Sequence, residues 1–145
     1  MSLFGAISVS ASGMEAQRIR AELITENLAN ADTTRTPQGG PYRRKDAVFS
    51  TSAVQGSFAQ TLSELSAVPA TGVSVSQITV DDSDPERRYL PGHPDADAQG
   101  YVAFPKINPA SEMVDLMSAS RSYQANVAAI SSVKDMIARS IDLLR

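Results

Sequence analysis

The strongest periodic signal lies toward the C-terminus, where Met113, Leu116, Ser120, Tyr123, Val127, Ile130, Lys134, Ile137, Ile141 and Leu144 recur at alternating intervals of three and four. Eight of these ten are apolar, which is the seam spacing of a coiled-coil type helix. The spacing predicts a helix over residues 108–145. Asn108 is placed to cap the first free amides, and Pro109 stands where a missing N–H costs nothing. At a rise of about 1.5 Å per residue such a helix is roughly 55 Å long, longer than a small domain needs. Val133, Met136 and Leu143 lie one position before the seam and widen the apolar arc beyond what one antiparallel partner covers. Burying each aliphatic side chain is worth about 1.5–3 kcal/mol, so the helix calls for several neighbours.

The first of these neighbours is predicted at the N-terminus, where Phe4, Ile7, Ala11, Met14, Ala21, Ile24, Leu28 and Ala31 fall near one helical face. Gly13 weakens that helix, and Ser12 with Glu15 has the spacing of a capping box, so the residues before them read as a separate, softer piece. Turn formers over residues 30–37, followed by Gly39, Gly40 and Pro41, end the helix. Residues 50–71, rich in Ser, Ala, Thr and Gln, read as a loose connection with a helical tendency around 58–65. Residues 72–80 alternate as a bulged strand does, with Val73 and Val75 on one face and Ile78 and Val80 on the other. Short strands are predicted around 47–49 and at 101–104. The fold class expected is mainly α, with long N- and C-terminal helices packing as a coiled-coil-like pair and a small β-containing middle module. The corresponding segments are 1–34, 35–107 and 108–145.

Composition narrows the partners. A net charge of −3 and the absence of tryptophan argue against a polyphosphate or a base-stacking ligand, so nucleic acid is not an expected partner. The charge is uneven: residues 1–45 carry six Lys/Arg against four Asp/Glu, residues 46–104 two against eight, and residues 105–145 five against four. Glu15, Arg18, Arg20 and Glu22 interrupt what a cleavable signal would need as an apolar stretch, and no run approaches the roughly 20 apolar residues of a membrane span. The chain has no cysteine, which removes disulfide and thiol chemistry.

Few residues invite a chemical role. His93 with Asp95 and Asp97 can be drawn as a metal cluster, but a lone imidazole in a Pro- and Gly-punctuated loop lacks the second His or Cys usual for zinc. The run Asp81, Asp82, Asp84, Glu86 lacks the glycine and terminal glutamate of a calcium loop. Turn building is the better reading for both, with Asp95 and Asp97 capping amides or pairing with Arg87 or Arg88. A carboxylate pair for glycan cleavage, at Asp95 and Asp97, is the weakest reading. No catalytic residue, cofactor or metal is expected. Arg43, Arg44 and Lys45 read as a solvated cluster, with the acidic middle of a neighbouring subunit as the alternative partner. Asn27, Asn30, Arg121, Tyr123, Gln124 and Asn126 are polar positions inside otherwise apolar helices. A buried hydrogen-bond layer that fixes helix register is the reading favoured for them.

Four blocks together carry a family resemblance. They are Asn27-Leu28-Ala29-Asn30-Ala31-Asp32-Thr33; Thr34-Arg35-Thr36-Pro37-Gln38-Gly39-Gly40-Pro41-Tyr42-Arg43-Arg44; Pro91-Gly92-His93-Pro94-Asp95-Ala96-Asp97-Ala98-Gln99-Gly100-Tyr101-Val102; and Ser118-Ala119-Ser120-Arg121-Ser122-Tyr123-Gln124-Ala125-Asn126-Val127. In that order they resemble the bacterial flagellar axial proteins, and among them the proximal rod subunits. Residues 49–68 depart most from the family pattern. The resemblance implies a structural subunit, exported unfolded by the flagellar export apparatus, that builds a helical tube transmitting torque across the periplasm. It implies as partners the rod proteins FlgB, FlgF and FlgG, the adaptor FliE and further copies of the chain, and helices that are poorly ordered until they assemble. The assembly contacts expected are Ile7, Met14, Ile24, Asn27, Leu28 and Asn30 from the first helix, and Met113, Leu116, Tyr123, Gln124, Asn126, Val127, Ile130, Ile137, Ile141 and Leu144 from the last. A soluble helical adaptor or export-linked chaperone is the alternative.

Overall fold

A computed structural model describes residues 3–53 and 71–142. The helical tendency around 58–65 and the seam position Leu144 lie outside the described residues. The described elements are helix α1 (Leu3–Ala29), strands β1 (Lys45–Ala53), β2 (Thr71–Val80), β3 (Glu86–Tyr89) and β4 (Tyr101–Phe104), and helix α2 (Pro109–Asp142). The two helices, of 27 and 34 residues, dominate the described regular structure. The middle is richer in β structure than expected, with two separate antiparallel hairpins, β1–β2 and β3–β4.

α1 is continuous through Gly13, in contrast to the break expected there. Ser12 does not cap a restarted helix: its Oγ donates to the Val9 carbonyl at 2.8 Å and accepts the Val73 N–H at 3.0 Å, stitching β2 to the helix. Gly13 is explained by packing. A Cβ built on it meets the Asn126 side-chain amide nitrogen at 3.0 Å, so the two helices touch closely there and a side chain would have to displace Asn126. The turn after α1 forms where predicted: the Asn30 side chain donates to the Glu26 carbonyl at 2.9 Å, and Gly39 and Gly40 take positive φ of 90° and 75°. At the start of α2, Asn108 Oδ1 accepts the Ala110 N–H at 3.0 Å and the Ser111 N–H at 3.4 Å, the cap read from the sequence.

β1 and β2 pair from Lys45↔Val80 to Ala53↔Thr71, with the register shifting after Val48 so that Ser76 is left over as a bulge. The bulge is what moves the apolar alternation of β2 from Val73 and Val75 to the other parity at Ile78 and Val80. A two-stranded ribbon is marginal alone, and this one lies against α1. β3 was not foreseen. Its residues Glu86, Arg87, Arg88 and Tyr89 are all exposed and carry no alternation, and the pairing is imposed by the turn that returns to β4.

α1 is the centre of the molecule. It packs on α2, β1 and β2, whereas α2 packs on no described element except α1. The helices run antiparallel, as the contacts of Asn27 with Glu112 and of Gly13 with Asn126 show. Among the described residues, the buried apolar side chains include Ala16, Leu23 and Ile24 of α1, Ala119 and Val133 of α2, and Tyr42, Val102 and Phe104 of the middle.

A bare helix face and the polar clasp behind it

The face of α2 that meets α1 runs through Glu112, Ala119, Asn126 and Val133, seven residues apart. Half-buried Leu116, Ile130 and Ile137 flank it. This line lies one position before the predicted stripe through Met113, Ser120, Val127 and Lys134. The reason is steric. The helices approach closely at Gly13, and small side chains such as Ala16 and Ala119 suit such a contact, so large apolar residues are excluded from it. At 100° per residue, Met113, Met117 and Val127 share an arc turned away from α1, with Val114 beside it and Tyr123 and Ile141 at its edge. Met113 is 55%, Met117 56% and Val127 46% exposed. A shallow groove on this side is lined by Leu116, Met117, Ser120, Arg121 and Gln124. Val114 and Met117 were missed in the sequence because they fall off the three-four seam that sequence spacing follows.

In the structure Ile24 and Asn27 are buried, and Ile7, Met14, Leu28 and Asn30 are half-buried. Gln124 is exposed like the arc residues, and Asn126 sits against Gly13 with its Nδ2 donating to the Ser122 carbonyl at 3.0 Å.

Asn27 is completely buried, and all its hydrogen-bonding capacity is used within the chain. Its Oδ1 accepts the Tyr42 hydroxyl at 3.0 Å and the Lys45 N–H at 2.9 Å; its Nδ2 donates to the Lys45 carbonyl at 2.8 Å and reaches Glu112 Oε2 at 3.4 Å. Glu112, 2% exposed at the start of α2, accepts Arg44 Nε at 2.6 Å. One polar clasp therefore joins α1, the turn before β1, and α2. The hydrogen bond to Glu112 holds Arg44 even more firmly protonated than usual. Arg43 and Lys45 also pair within the chain, with Asp82 and Glu26, but at the surface, where Arg43 stays solvated as the sequence suggested.

Tyr42 reports on this clasp. Burial, with the negative charges of Glu26 and Glu112 nearby, pushes its phenol from 10.0 up to about 12. Because the folded value is the higher one, neutral Tyr42 stabilises the fold fully below about pH 10, and this contribution is lost as pH rises toward 12. Ultraviolet titration of phenolate should show a late-ionising component, and that component should vanish in Tyr42→Phe.

His93, Asp95 and Asp97 build turns. His93 Nδ1 accepts the Asp95 N–H at 3.1 Å, and Asp97 Oδ1 accepts the N–H groups of Gln99 at 2.9 Å and Tyr101 at 2.8 Å. Asp95 accepts the Thr34 hydroxyl at 2.8 Å and lies 3.7 Å from Arg35, so its partners are in the turn after α1 and not at Arg87 or Arg88.

Two long antiparallel helices, one of them bare on its outer side, and two small strand pairs, of which β3–β4 is closed by turn chemistry, describe a structural assembly subunit. Comparison with known proteins gives the family. A model described as flagella basal body rod protein matches residues 7–35, and one described as flagellar basal body rod FlgEFG protein C-terminal matches residues 98–143. The chain is 43% identical to the flagellar basal-body rod protein FlgC of Bacillus subtilis, over 99% of each chain. It is 40% identical to that of Borreliella burgdorferi, over 100% of this chain and 99% of the relative. With the FlgC of Salmonella typhimurium it shares 37% identity, over 99% of this chain and 98% of the relative. The chain belongs to the FlgC family of flagellar basal-body rod proteins, and is a structural rod subunit of the flagellar basal body, in association with other rod components. Among the described residues no helix is long and apolar enough to cross a membrane.

Proposed function

We propose that the subunit assembles through its terminal helices into the helical tube of the proximal rod, which transmits torque across the periplasm. The observation that carries this reading is the outward arc of α2, where Met113, Met117 and Val127 are about half exposed or more. A buried aliphatic side chain contributes about 1.5–3 kcal/mol, so a helix this long with its larger apolar residues in water is an unfinished core. Helices of neighbouring subunits complete it, α2 pairing outward in coiled-coil fashion, through repeated non-closing contacts that generate a tube. The neighbours are copies of the chain, the rod proteins FlgB, FlgF and FlgG, and the adaptor FliE, after export of the unfolded chain by the flagellar export apparatus. On this reading residues 1–34 and 108–145 are the assembling segments, and 35–107 form the module they carry. The subunit has no enzymatic role. Occupation of His93, Asp95 and Asp97 by their own turns supports this, as does a family of rod proteins.

Fractionation of flagellated cells tests the reading. The chain is expected in detergent-extracted basal bodies. Recovery only as a soluble cytoplasmic protein would favour the adaptor or chaperone role and contradict assembly.

A further inference from the structure

α2 is lightly held. Among its described residues only Glu112, Ala119 and Val133 are buried, and one of these three is a carboxylate. A carboxylate taken out of water without a partner is strongly unfavourable, and its counter-charge decides whether the burial is tolerated. That counter-charge is not on α1, the helix against which α2 packs. It is Arg44, in the segment between α1 and β1, whose Nε lies 2.6 Å from Glu112 Oε1.

Arg44 is positioned by bonds that do not involve α2. The next residue, Lys45, is held to Asn27 by both its N–H and its carbonyl, Tyr42 by its hydroxyl to Asn27 and its N–H to the Thr33 carbonyl, and the Arg44 carbonyl accepts the Asp81 N–H at 2.8 Å. The last bond closes the end of the β1–β2 ribbon, next to the Lys45↔Val80 pair. The coupling is reciprocal as a free energy, and its weight falls on Glu112. Without α2, Asn27 loses only its long 3.4 Å contact to Glu112, whereas without a folded 31–45 segment Glu112 has no cation to meet.

We propose that the Arg44–Glu112 pair is a latch that couples docking of α2 onto α1 to the folding of residues 31–45 and the adjoining ribbon. The other charges near the latch are Asp46, 3.2 Å from Arg44, and Asp115, 4.0 Å from Arg44 and 3.6 Å from Arg20 of α1. Both carboxylates are partly solvated, and neither replaces Glu112.

Hydrogen exchange on the full-length chain, resolved by peptide, tests the latch with Arg44→Gln, Glu112→Gln and the double variant. In Arg44→Gln the stranded carboxylate should speed exchange along α2 by about tenfold or more, with α1 and the β1–β2 ladder within about twofold of the unmodified chain. Adding Glu112→Gln removes that charge and should return α2 toward its original protection. Four results would each overturn the proposal: α2 unprotected in the unmodified chain, no change in Arg44→Gln, equal loss across α1, ribbon and α2, or a double variant as exposed as Arg44→Gln. Equal loss would mean that Arg44 merely supports the whole fold.

Discussion

Replacing Asn27 with alanine is expected to cost about 3 kcal/mol of stability. Asn27 has no exposed surface, and alanine would strand three partners at once: the Tyr42 hydroxyl and both the N–H and the carbonyl of Lys45. Each buried group without a partner costs about 1–3 kcal/mol, partly offset where water enters the vacated space. The loss is structural, because Asn27 ties the end of α1 to the first residue of β1. Denaturant melts of the purified chain followed by circular dichroism measure it. A cost below about 1 kcal/mol would show that the clasp is not the main tie between helix and ribbon.

The second large effect concerns assembly and leaves the subunit's fold alone. Val127→Asp places a charge on the outward arc of α2, at a residue 46% exposed in the subunit. In the free chain the change should alter stability by no more than about 0.5 kcal/mol, as usual for an exposed position. In a rod the same carboxylate would be buried without a partner at every copy, at several kcal/mol each. The expected phenotype is loss of rods and of motility with normal subunit levels and an unchanged melting curve. Motile cells with intact rods would remove Val127 from the assembly surface.

Both helices were legible because their signals are local: the three-four periodicity, the Asn108-Pro109 start and the turn formers after Ala29. The bulged strand was legible too, since the change of parity between Val75 and Ile78 is visible in the sequence. What the sequence hid is which side of α2 meets α1. Periodicity weighs residues by hydrophobicity and so selects Met113 and Val127, whereas a close helix contact selects Gly13, Ala16 and Ala119 for their small size. Asn27 stood out as a polar residue at an apolar position, but its partners Tyr42, Lys45 and Glu112 are 15, 18 and 85 residues away, and no spacing rule reaches them. β3 escaped for the converse reason, being an exposed strand of charged residues with no burial to pattern it.

The central claim is that the outward face of α2 is bare in the subunit and covered in the rod. The chain has no cysteine, so Val127→Cys gives a single thiol on that face. Its rate of maleimide labelling can be compared between the purified subunit and intact basal bodies. The account predicts fast labelling of the subunit and strong protection in basal bodies. Equally fast labelling in both would contradict it.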